Sequence, residues 1–237
     1  MLRTKPKKLS EANNIDTLII SDTHLGSEVS RAEAALAVLK KYQFRQLILL
    51  GDIFDDLNFN HLERSHWEFL SYVHEIADPK KKIKIVWVIG NHNILLQNFS
   101  NFLGVEIVRR YGWKYKNEKY LAIHGHQFDS FLHKNPIISA IASFLYLIIQ
   151  KLDSRKQTIS RFIKRTSKGW LRLSDQVARR AILYARWNRA KYIFCGHTHL
   201  AMKEISDNIE YWNSGCFTDV PSNYITISED GVKIHTC

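Results

Sequence analysis

Short apolar runs alternate along this chain with longer stretches of helical periodicity. The runs are Thr17–Ser21, Gln46–Leu50, Ile83–Ile89, Tyr120–Ile123 and Tyr192–Cys195. Each run is a few residues long and rich in β-branched or aromatic side chains, which is typical of strands buried on both faces. Between the first three runs, Ala32–Tyr42 and Leu62–Ala77 carry apolar residues at helical spacing. This alternation of strands and helices predicts an α/β layered fold.

The last part of the chain predicts three further strands. They cover Glu210–Trp212, Tyr224–Ser228 and Val232–His235, with turns at Asn213–Gly215 and Asp230–Gly231. No internal repeat and no long linker divides the chain. We therefore expect a flexible basic tail over residues 1–14 and a single domain over residues 15–237.

Composition excludes several classes of protein. Of the 237 residues, 45% are hydrophobic and 12% aromatic, which excludes a disordered chain, and only 10 Gly and 4 Pro exclude a collagen-like one. Three scattered cysteines without a C-x-x-C motif argue against a disulfide framework or a thiolate zinc site. They favour a reducing compartment, so we expect a cytoplasmic protein. The longest apolar run, Pro136–Ile149, is shorter than the roughly 18 residues that a membrane-spanning helix requires.

The positive charge is concentrated in one segment. The formal net charge is +11, and Gln127–Cys195 contains 14 basic and three acidic residues, which accounts for all of it. We interpret residues 130–190 as a helical insertion that forms a lid over a site. Ile137–Ile149 is apolar on nearly every face, Ser154–Lys168 is densely basic and Gly169–Ala190 is amphipathic. The alternative is a packed helical hairpin with a solvated charged face.

Polar side chains suited to metal binding follow each of the five apolar runs described above. They are Asp22 and His24, then Asp52 and Asp55, then Asn91 and His92, then His124, and finally His197 and His199. Because sites in open α/β sheets form beyond the carboxyl ends of strands, we expect these loops to converge on one pocket. The scattered His61, His66, His74, His133 and His235 and the neighbouring Asp56 are expected to be ordinary structural or solvated residues.

These residue types predict a centre with two divalent ions. Carboxylates and imidazoles suit Mn²⁺, which is our first expectation, and also Fe²⁺ or Zn²⁺. A single carboxylate such as Asp52 can bridge two ions. Two ions about 3.5–4 Å apart can activate water for in-line displacement at phosphorus.

The motifs resemble those of the calcineurin-like metallophosphoesterases. That family has D-x-H, G-D-x-x-D, G-N-H-[DE], H-G-x and G-H-x-H in this order, and this chain has DTH, GDIFD, GNHN, HGH and GHTH. The resemblance extends from Thr17 to the C-terminus. It implies a sandwich of two mixed β-sheets flanked by helices, and a hydrolase acting on phosphodiester or pyrophosphate bonds.

The resemblance also implies a role for each motif residue. Asp22, His24, Asp52 and His199 would bind one ion, and Asp52, Asn91, His124 and His197 the other. Asp55 would support a ligand from behind. Asn91 and His92 would stabilise the charge on the phosphoryl oxygens, and His92 would also protonate the leaving oxygen. Here Asn93 replaces the family's acidic residue and adds no charge to raise the pKa of His92, so donation of a hydrogen bond to the phosphate is the alternative role.

A helical insertion at this point of the chain is similar to that of the UDP-2,3-diacylglucosamine pyrophosphatases of lipid A biosynthesis, although those enzymes have GNRD where this chain has GNHN. The similarity implies a nucleotide-linked lipid substrate such as UDP-2,3-diacylglucosamine. Arg155, Arg161, Lys164 and Arg165 are our candidate lid contacts to the substrate, and the basic lid could also hold the protein peripherally on an anionic membrane.

Two alternatives remain at this stage. A nuclease or cyclic-nucleotide phosphodiesterase would use the basic segment to hold a phosphate backbone. A non-catalytic binding module on the same scaffold would be expected to have lost metal ligands, and the seven candidate ligands are all present.

Overall fold

The computed structural model describes residues 14–91, 104–129, 145, 148–149, 152–153, 159, 163 and 166–237. In this part of the chain, two mixed β-sheets pack face to face and carry helices on their outer faces. The predicted layered α/β fold is confirmed. The predicted basic tail lies outside the described residues except for Asn14, which begins the first strand.

The first sheet has six strands in the order β11-β10-β1-β2-β3-β4. They are β1 (Asn14–Ile20), β2 (Gln43–Leu50), β3 (Lys84–Val88), β4 (Glu106–Val108), β10 (Asn223–Ser228) and β11 (Gly231–Thr236). Strands β1 to β4 are parallel, whereas β10 is antiparallel to both of its neighbours. The carboxyl ends of β1, β2 and β3 therefore lie at one edge of this sheet.

The second sheet has five strands in the order β5-β6-β7-β9-β8. They are β5 (Tyr111–Tyr115), β6 (Glu118–Ala122), β7 (Tyr192–Cys195), β8 (Met202–Ser206) and β9 (Ile209–Asn213). The three central strands are parallel, and the two edge strands are antiparallel to their neighbours. The strands that were predicted to carry ligands thus divide between two sheets.

Alternation of side chains along each strand builds the layers. Leu18 and Ile20 of β1 face the helices, and Ile19 between them faces the other sheet. Helices α1 (Ala32–Lys41) and α2 (Arg64–Ile76) cover the six-stranded sheet, while α3 (Lys168–Trp187) covers the five-stranded one. Successive residues of a strand point to opposite faces, so an unbroken apolar run supplies two hydrophobic layers at once.

Three strands were not predicted. Strands β5 and β8 alternate between half-buried and exposed residues, and β4 has only three residues. All three are edge strands. A strand that is exposed to solvent on one of its faces needs no continuous apolar run. Unbroken apolar runs therefore do not predict these three strands.

Helix α3 corresponds to the amphipathic end of the predicted insertion. Val177 and Ala181 pack against the sheet, and Arg172 and Arg179 are exposed, as the periodicity predicted. This end of the insertion is thus a layer of the sandwich. Most of residues 130–165, including Arg155, Arg161, Lys164 and Arg165, lies outside the described part, and a lid there stays a prediction. Among the helices that the structure describes, none combines the length and the apolar character needed to cross a bilayer.

Candidate metal centre

The loops after the predicted ligand-bearing strands meet at one end of the sandwich. Beyond the ends of β1 and β2, the Asp22 backbone N–H donates to Gly51 O at 3.0 Å. Beyond the ends of β6 and β7, the Gly196 N–H donates to His124 O at 2.9 Å. The His197 backbone N–H then joins the sheets by donating to both carboxylate oxygens of Asp22, each at 3.2 Å. The predicted convergence on one pocket is therefore present in the fold.

A first group of possible metal ligands comprises Asp22, His24 and His199. Nε2 of His199 lies 3.2 Å from Oδ1 of Asp22. Nδ1 of His24 lies 2.9 Å from Oδ1 of Asp55. Asp55 thus stands where it can orient the His24 ring and favour coordination through Nε2.

A second group comprises Asp22, Asp52 and His124. Nε2 of His124 lies 3.2 Å from Oδ2 of Asp52, and Nδ1 lies 3.0 Å from the backbone oxygen of Leu50. Since a backbone carbonyl only accepts hydrogen bonds, Nδ1 carries the proton and Nε2 is the coordinating nitrogen. Asp22 belongs to both groups, whereas the sequence pointed to Asp52 as the bridging carboxylate.

His197 and Asn91 lie next to the second group. The ring centroid of His197 is 5.5 Å from that of His124, and Nε2 of His197 is 3.0 Å from Oδ2 of Asp129. Asn91 follows Gly90, which lies against Asp52, and its Oδ1 is buried without a hydrogen-bond donor among the described residues. A buried amide oxygen without a donor is suited to a cation.

Asp129 is a site residue that sequence reasoning missed. In the sequence it is one of three acidic residues in a basic segment, and its one distinguishing signal is its place five residues after His124. His92 and Asn93, in contrast, lie outside the described residues, so their predicted roles stay predictions.

Five of the seven candidate ligands have left-handed backbones. Their φ angles are 50° at Asp22, 44° at His24, 46° at Asp52, 65° at His197 and 54° at His199. Residues with a Cβ rarely adopt this region outside tight turns, although Asp and His do so more readily than most. These five residues thus lie in the tight turns that follow strands β1, β2 and β7.

Two glycines make room for the carboxylates. A Cβ atom at Gly90 would lie 2.0 Å from Oδ1 of Asp52, and one at Gly196 would lie 2.3 Å from Oδ2 of Asp22. Both distances are far below van der Waals contact. Any larger residue at these positions would push the carboxylates or the neighbouring loops apart.

Charge coupling in the pocket is strong because Asp22 and His124 are fully buried. Burial by itself lowers the pKa of His124, but Asp52 and Asp22 raise it from 6.5 to about 9. The pKa of His199 rises to about 10, because Cys216 and Asp22 outweigh burial. The pKa of Asp22 falls below 3.8, because His199 and His124 outweigh burial. Without bound ions, protons on the histidines compensate the carboxylates.

His197 differs from the other two histidines. Burial lowers its pKa below 6.5 and outweighs the hydrogen bond to Asp129, and the neighbouring His124 lowers the pKa further. A neutral imidazole with one lone pair is the form that binds a metal. Together with the carboxylates and the Asn91 oxygen, the histidines form a mixed nitrogen and oxygen donor set that fits two divalent ions sharing a carboxylate.

Comparison with known proteins gives an independent finding. The family described as Calcineurin-like phosphoesterase matches residues 15–201. A search of curated proteins found no match.

Among solved structures, one described as a novel archaeal phosphodiesterase has a TM-score of 0.51 at 14% identity, covering 93% of this chain and 99% of the other. Yfce, a phosphoesterase from E. coli, has a TM-score of 0.47 at 17% identity, with 91% and 90% covered. Vps29 complexed with zinc from Entamoeba histolytica has a TM-score of 0.47 at 13% identity, with 93% and 97% covered. The first of these supports the sandwich fold.

Proposed function

This chain belongs to the calcineurin-like phosphoesterase family and is a hydrolase of phosphoric esters, and we propose that it cleaves a phosphodiester or pyrophosphate bond with two divalent metal ions. The observation that carries the proposal is the pair of Asp and His groups that meet at the buried Asp22. A phosphomonoester is a less suitable substrate for the predicted apolar and cationic insertion, which fits a larger molecule.

The metal ligands in this proposal are Asp22, His24, Asp52, Asn91, His124, His197 and His199. When bound, two divalent ions supply positive charge for the phosphoryl oxygens and lower the pKa of an attacking water. The chain's own contribution is to hold the ligands in a buried, left-handed turn geometry that needs little rearrangement. In this proposal His92 donates a hydrogen bond to the phosphate, and Asn91 helps to stabilise the charge on the phosphoryl oxygens.

A direct test is hydrolysis of bis-p-nitrophenyl phosphate by protein stripped with a chelator and reloaded with one metal at a time. We expect activity with Mn²⁺, with Fe²⁺ and Zn²⁺ as the alternatives. Asp52→Ala should lower kcat/KM by more than about 100-fold, the upper end of the loss for a residue that only supports a metal ligand.

Asp56→Ala is the matched control for this test. Asp56 is four residues from Asp52, but it is exposed and pairs with His61 at 3.0 Å. The activity of the Asp56→Ala variant should equal that of the wild type. An unchanged rate in Asp52→Ala would instead support a non-catalytic binding module.

For the substrate, we propose a nucleotide-linked lipid such as UDP-2,3-diacylglucosamine. The described residues of the insertion between 145 and 163 include five large apolar side chains that are helical and exposed: Leu145, Ile148, Leu152, Ile159 and Ile163. Leu152 is the most exposed, at 82%. Exposed apolar side chains of this kind, in a segment whose sequence also contains many cationic residues, are suited to acyl chains and phosphates.

The same surface leads us to propose a cytoplasmic enzyme that works at an anionic membrane face. Support comes from the net charge of +11 and from three cysteines that form no disulfide. The prediction to check is retention on phosphatidylglycerol vesicles, and its loss on neutral phosphatidylcholine vesicles or in high salt.

Leu152→Asp tests the lipid substrate separately from the chemistry. Because burying a leucine side chain is worth about 1.5–3 kcal/mol, kcat/KM for the lipid should fall about 10-fold or more, while bis-p-nitrophenyl phosphate is cleaved as before. Ile205→Asp on strand β8, where the side chain is also exposed, is the control. Cleavage of oligonucleotides without cleavage of the lipid would reject this substrate and favour the nuclease alternative.

A further inference from the structure

Asp129 has a buried carboxylate whose position calls for an explanation. Its Oδ2 atom is 3.0 Å from Nε2 of His197, and the two side chains are only 5% and 11% exposed. A carboxylate removed from water in this way is tolerated when hydrogen-bonded or charged groups compensate it. The partner of Asp129 is His197, a candidate metal ligand in the loop that follows β7.

A single short loop fixes Asp129 relative to His124. After His124 the chain makes one 3₁₀ turn over His126–Phe128. Within it, Phe128 N–H donates to Gly125 O at 2.9 Å, and Asp129 N–H donates to His126 O at 3.1 Å. The loop that supplies one ligand of the second group therefore also supplies an acceptor for a second ligand.

Helix α3 holds this loop from the outside. The Arg180 guanidinium donates to Phe128 O at 2.9 Å, and the Phe128 ring lies 5.6 Å from that of Tyr184. The first contact holds the peptide group that precedes Asp129, and the second holds the side chain of Phe128. The carboxylate thus has a defined place, as a side chain that orients a ligand must have.

The backbone of His197 is already fixed by the hydrogen bonds from its N–H to the Asp22 carboxylate. What remains variable is the rotation of the imidazole ring. An imidazole that coordinates through one nitrogen carries its proton on the other, and an acceptor for that proton sets both the tautomer and the ring orientation.

We propose that Asp129 is a positioning residue, which accepts the Nε2 proton of His197 and presents Nδ1 to the ion bound at Asp52 and His124. This inference rests on the proposed two-metal function, since an oriented His197 has this role only if an ion binds beside it. It adds to that function a residue that none of the family motifs in this chain contains.

The test is a titration with Mn²⁺ followed by electron paramagnetic resonance, which reports both the unbound ion and the coupled pair. The variants are Asp129→Ala and Asp129→Asn, with the exposed Asp175→Ala of α3 as the matched control. We expect wild type and control to bind two ions. In Asp129→Ala one of the two ions should bind about 10- to 100-fold more weakly, and the coupled signal should be lost at low Mn²⁺.

Asp129→Asn separates a hydrogen bond from charge. The amide oxygen still accepts the Nε2 proton, so both ions should bind within about threefold of wild type. If Asp129→Ala does not fold, as judged by circular dichroism, Asp129→Ser replaces it, because its side chain is too short to reach Nε2.

Three outcomes are decisive. Two ions bound to Asp129→Ala as tightly as to wild type would overturn the inference. Weak binding by Asp129→Asn equal to that of Asp129→Ala would also overturn it, because charge rather than orientation would then matter. If wild type itself binds fewer than two ions, the proposed function fails, and this result is distinct from a failure at Asp129.

Discussion

At the scale of single residues, Asp22 is the centre of the site. It is fully buried, and it belongs to both groups of possible ligands. His199 contacts its carboxylate through Nε2, and His197 contacts it through its backbone N–H. The loop after β7 therefore contacts this carboxylate at two points, and the position of the carboxylate determines that of the loop.

Metal binding should compete with protons at this centre. The pKa values of about 9 at His124 and about 10 at His199 mean that both imidazoles are positively charged near pH 7 in chelator-stripped protein, with both ring nitrogens protonated. Coordination requires each imidazole to lose the proton on its coordinating nitrogen. The apparent affinity for Mn²⁺ should therefore rise between pH 7 and pH 9. Calorimetry in buffers of different ionisation enthalpy should detect proton release on binding.

The same pKa values predict the stability of the stripped protein. Both lie above the ordinary value of 6.5, so the folded state binds these protons more tightly than the unfolded chain. Their contribution to the free energy of unfolding is complete below about pH 6.5 and is lost as the pH rises through 9 to 10. Urea unfolding of His124→Gln, compared with the exposed His61→Gln, should show less of this decline. An equal decline in both variants would contradict the assignment.

At the scale of elements, α3 donates hydrogen bonds to two of the loops that carry candidate ligands. Its Trp170 indole N–H donates to Thr198 O at 2.9 Å, between His197 and His199. Ten residues later Arg180 donates to Phe128 O. The helix that the sequence assigned to the insertion thus supports the site from the outer face of its sheet.

Gly196→Ala should damage the junction of the two sheets. The added Cβ would lie 2.3 Å from Oδ2 of Asp22, so the loop or the carboxylate must move. We expect the free energy of unfolding to fall by about 1–3 kcal/mol, as for other overpacked sites, and the metal affinity to fall with it. Urea unfolding and a Mn²⁺ titration measure both effects.

Gly169→Ala is the matched control for that change. Gly169 lies in α3, where an added Cβ would meet nothing closer than Ser167 Oγ at 3.8 Å. Alanine should be neutral or slightly stabilising there. Equal behaviour of the two variants would show that the close approach at Gly196 is unimportant.

At the scale of the whole molecule, the site closes a very long loop. The hydrogen bond between Asp22 and His197 joins residues 175 positions apart. The two residues follow strands of different sheets, which pack through Ile19, Phe194 and their neighbours. Ions bound at this junction would bind the folded state and not the unfolded chain.

Metal should therefore stabilise the whole sandwich. At an ion concentration of about 100 times the dissociation constant, one site adds about 2.7 kcal/mol, which corresponds to roughly 5–10 °C in Tm for a chain of this size. Thermal unfolding of stripped protein with and without Mn²⁺ measures this shift. Asp52→Ala should show a much smaller shift, and an equal shift in both proteins would place the ion elsewhere.

The sequence predicted most of the buried strands because burial on both faces requires an unbroken apolar run. For β7 the predicted and observed bounds are the same, Tyr192–Cys195. It did not predict β5 and β8, since their alternating pattern depends on which face meets solvent. It also could not assign β1 and β7 to different sheets, because pairing partners are chosen by contacts between distant segments.

For the site, the sequence by itself determined the kinds of candidate ligand and their places after strand ends, since these follow from local motifs. Only the tertiary structure decided that Asp22 joins both groups and that Asp129 contacts His197. Such contacts form between loops that are distant in the chain, and the packing of the two sheets, with α3 behind one of them, sets their distances.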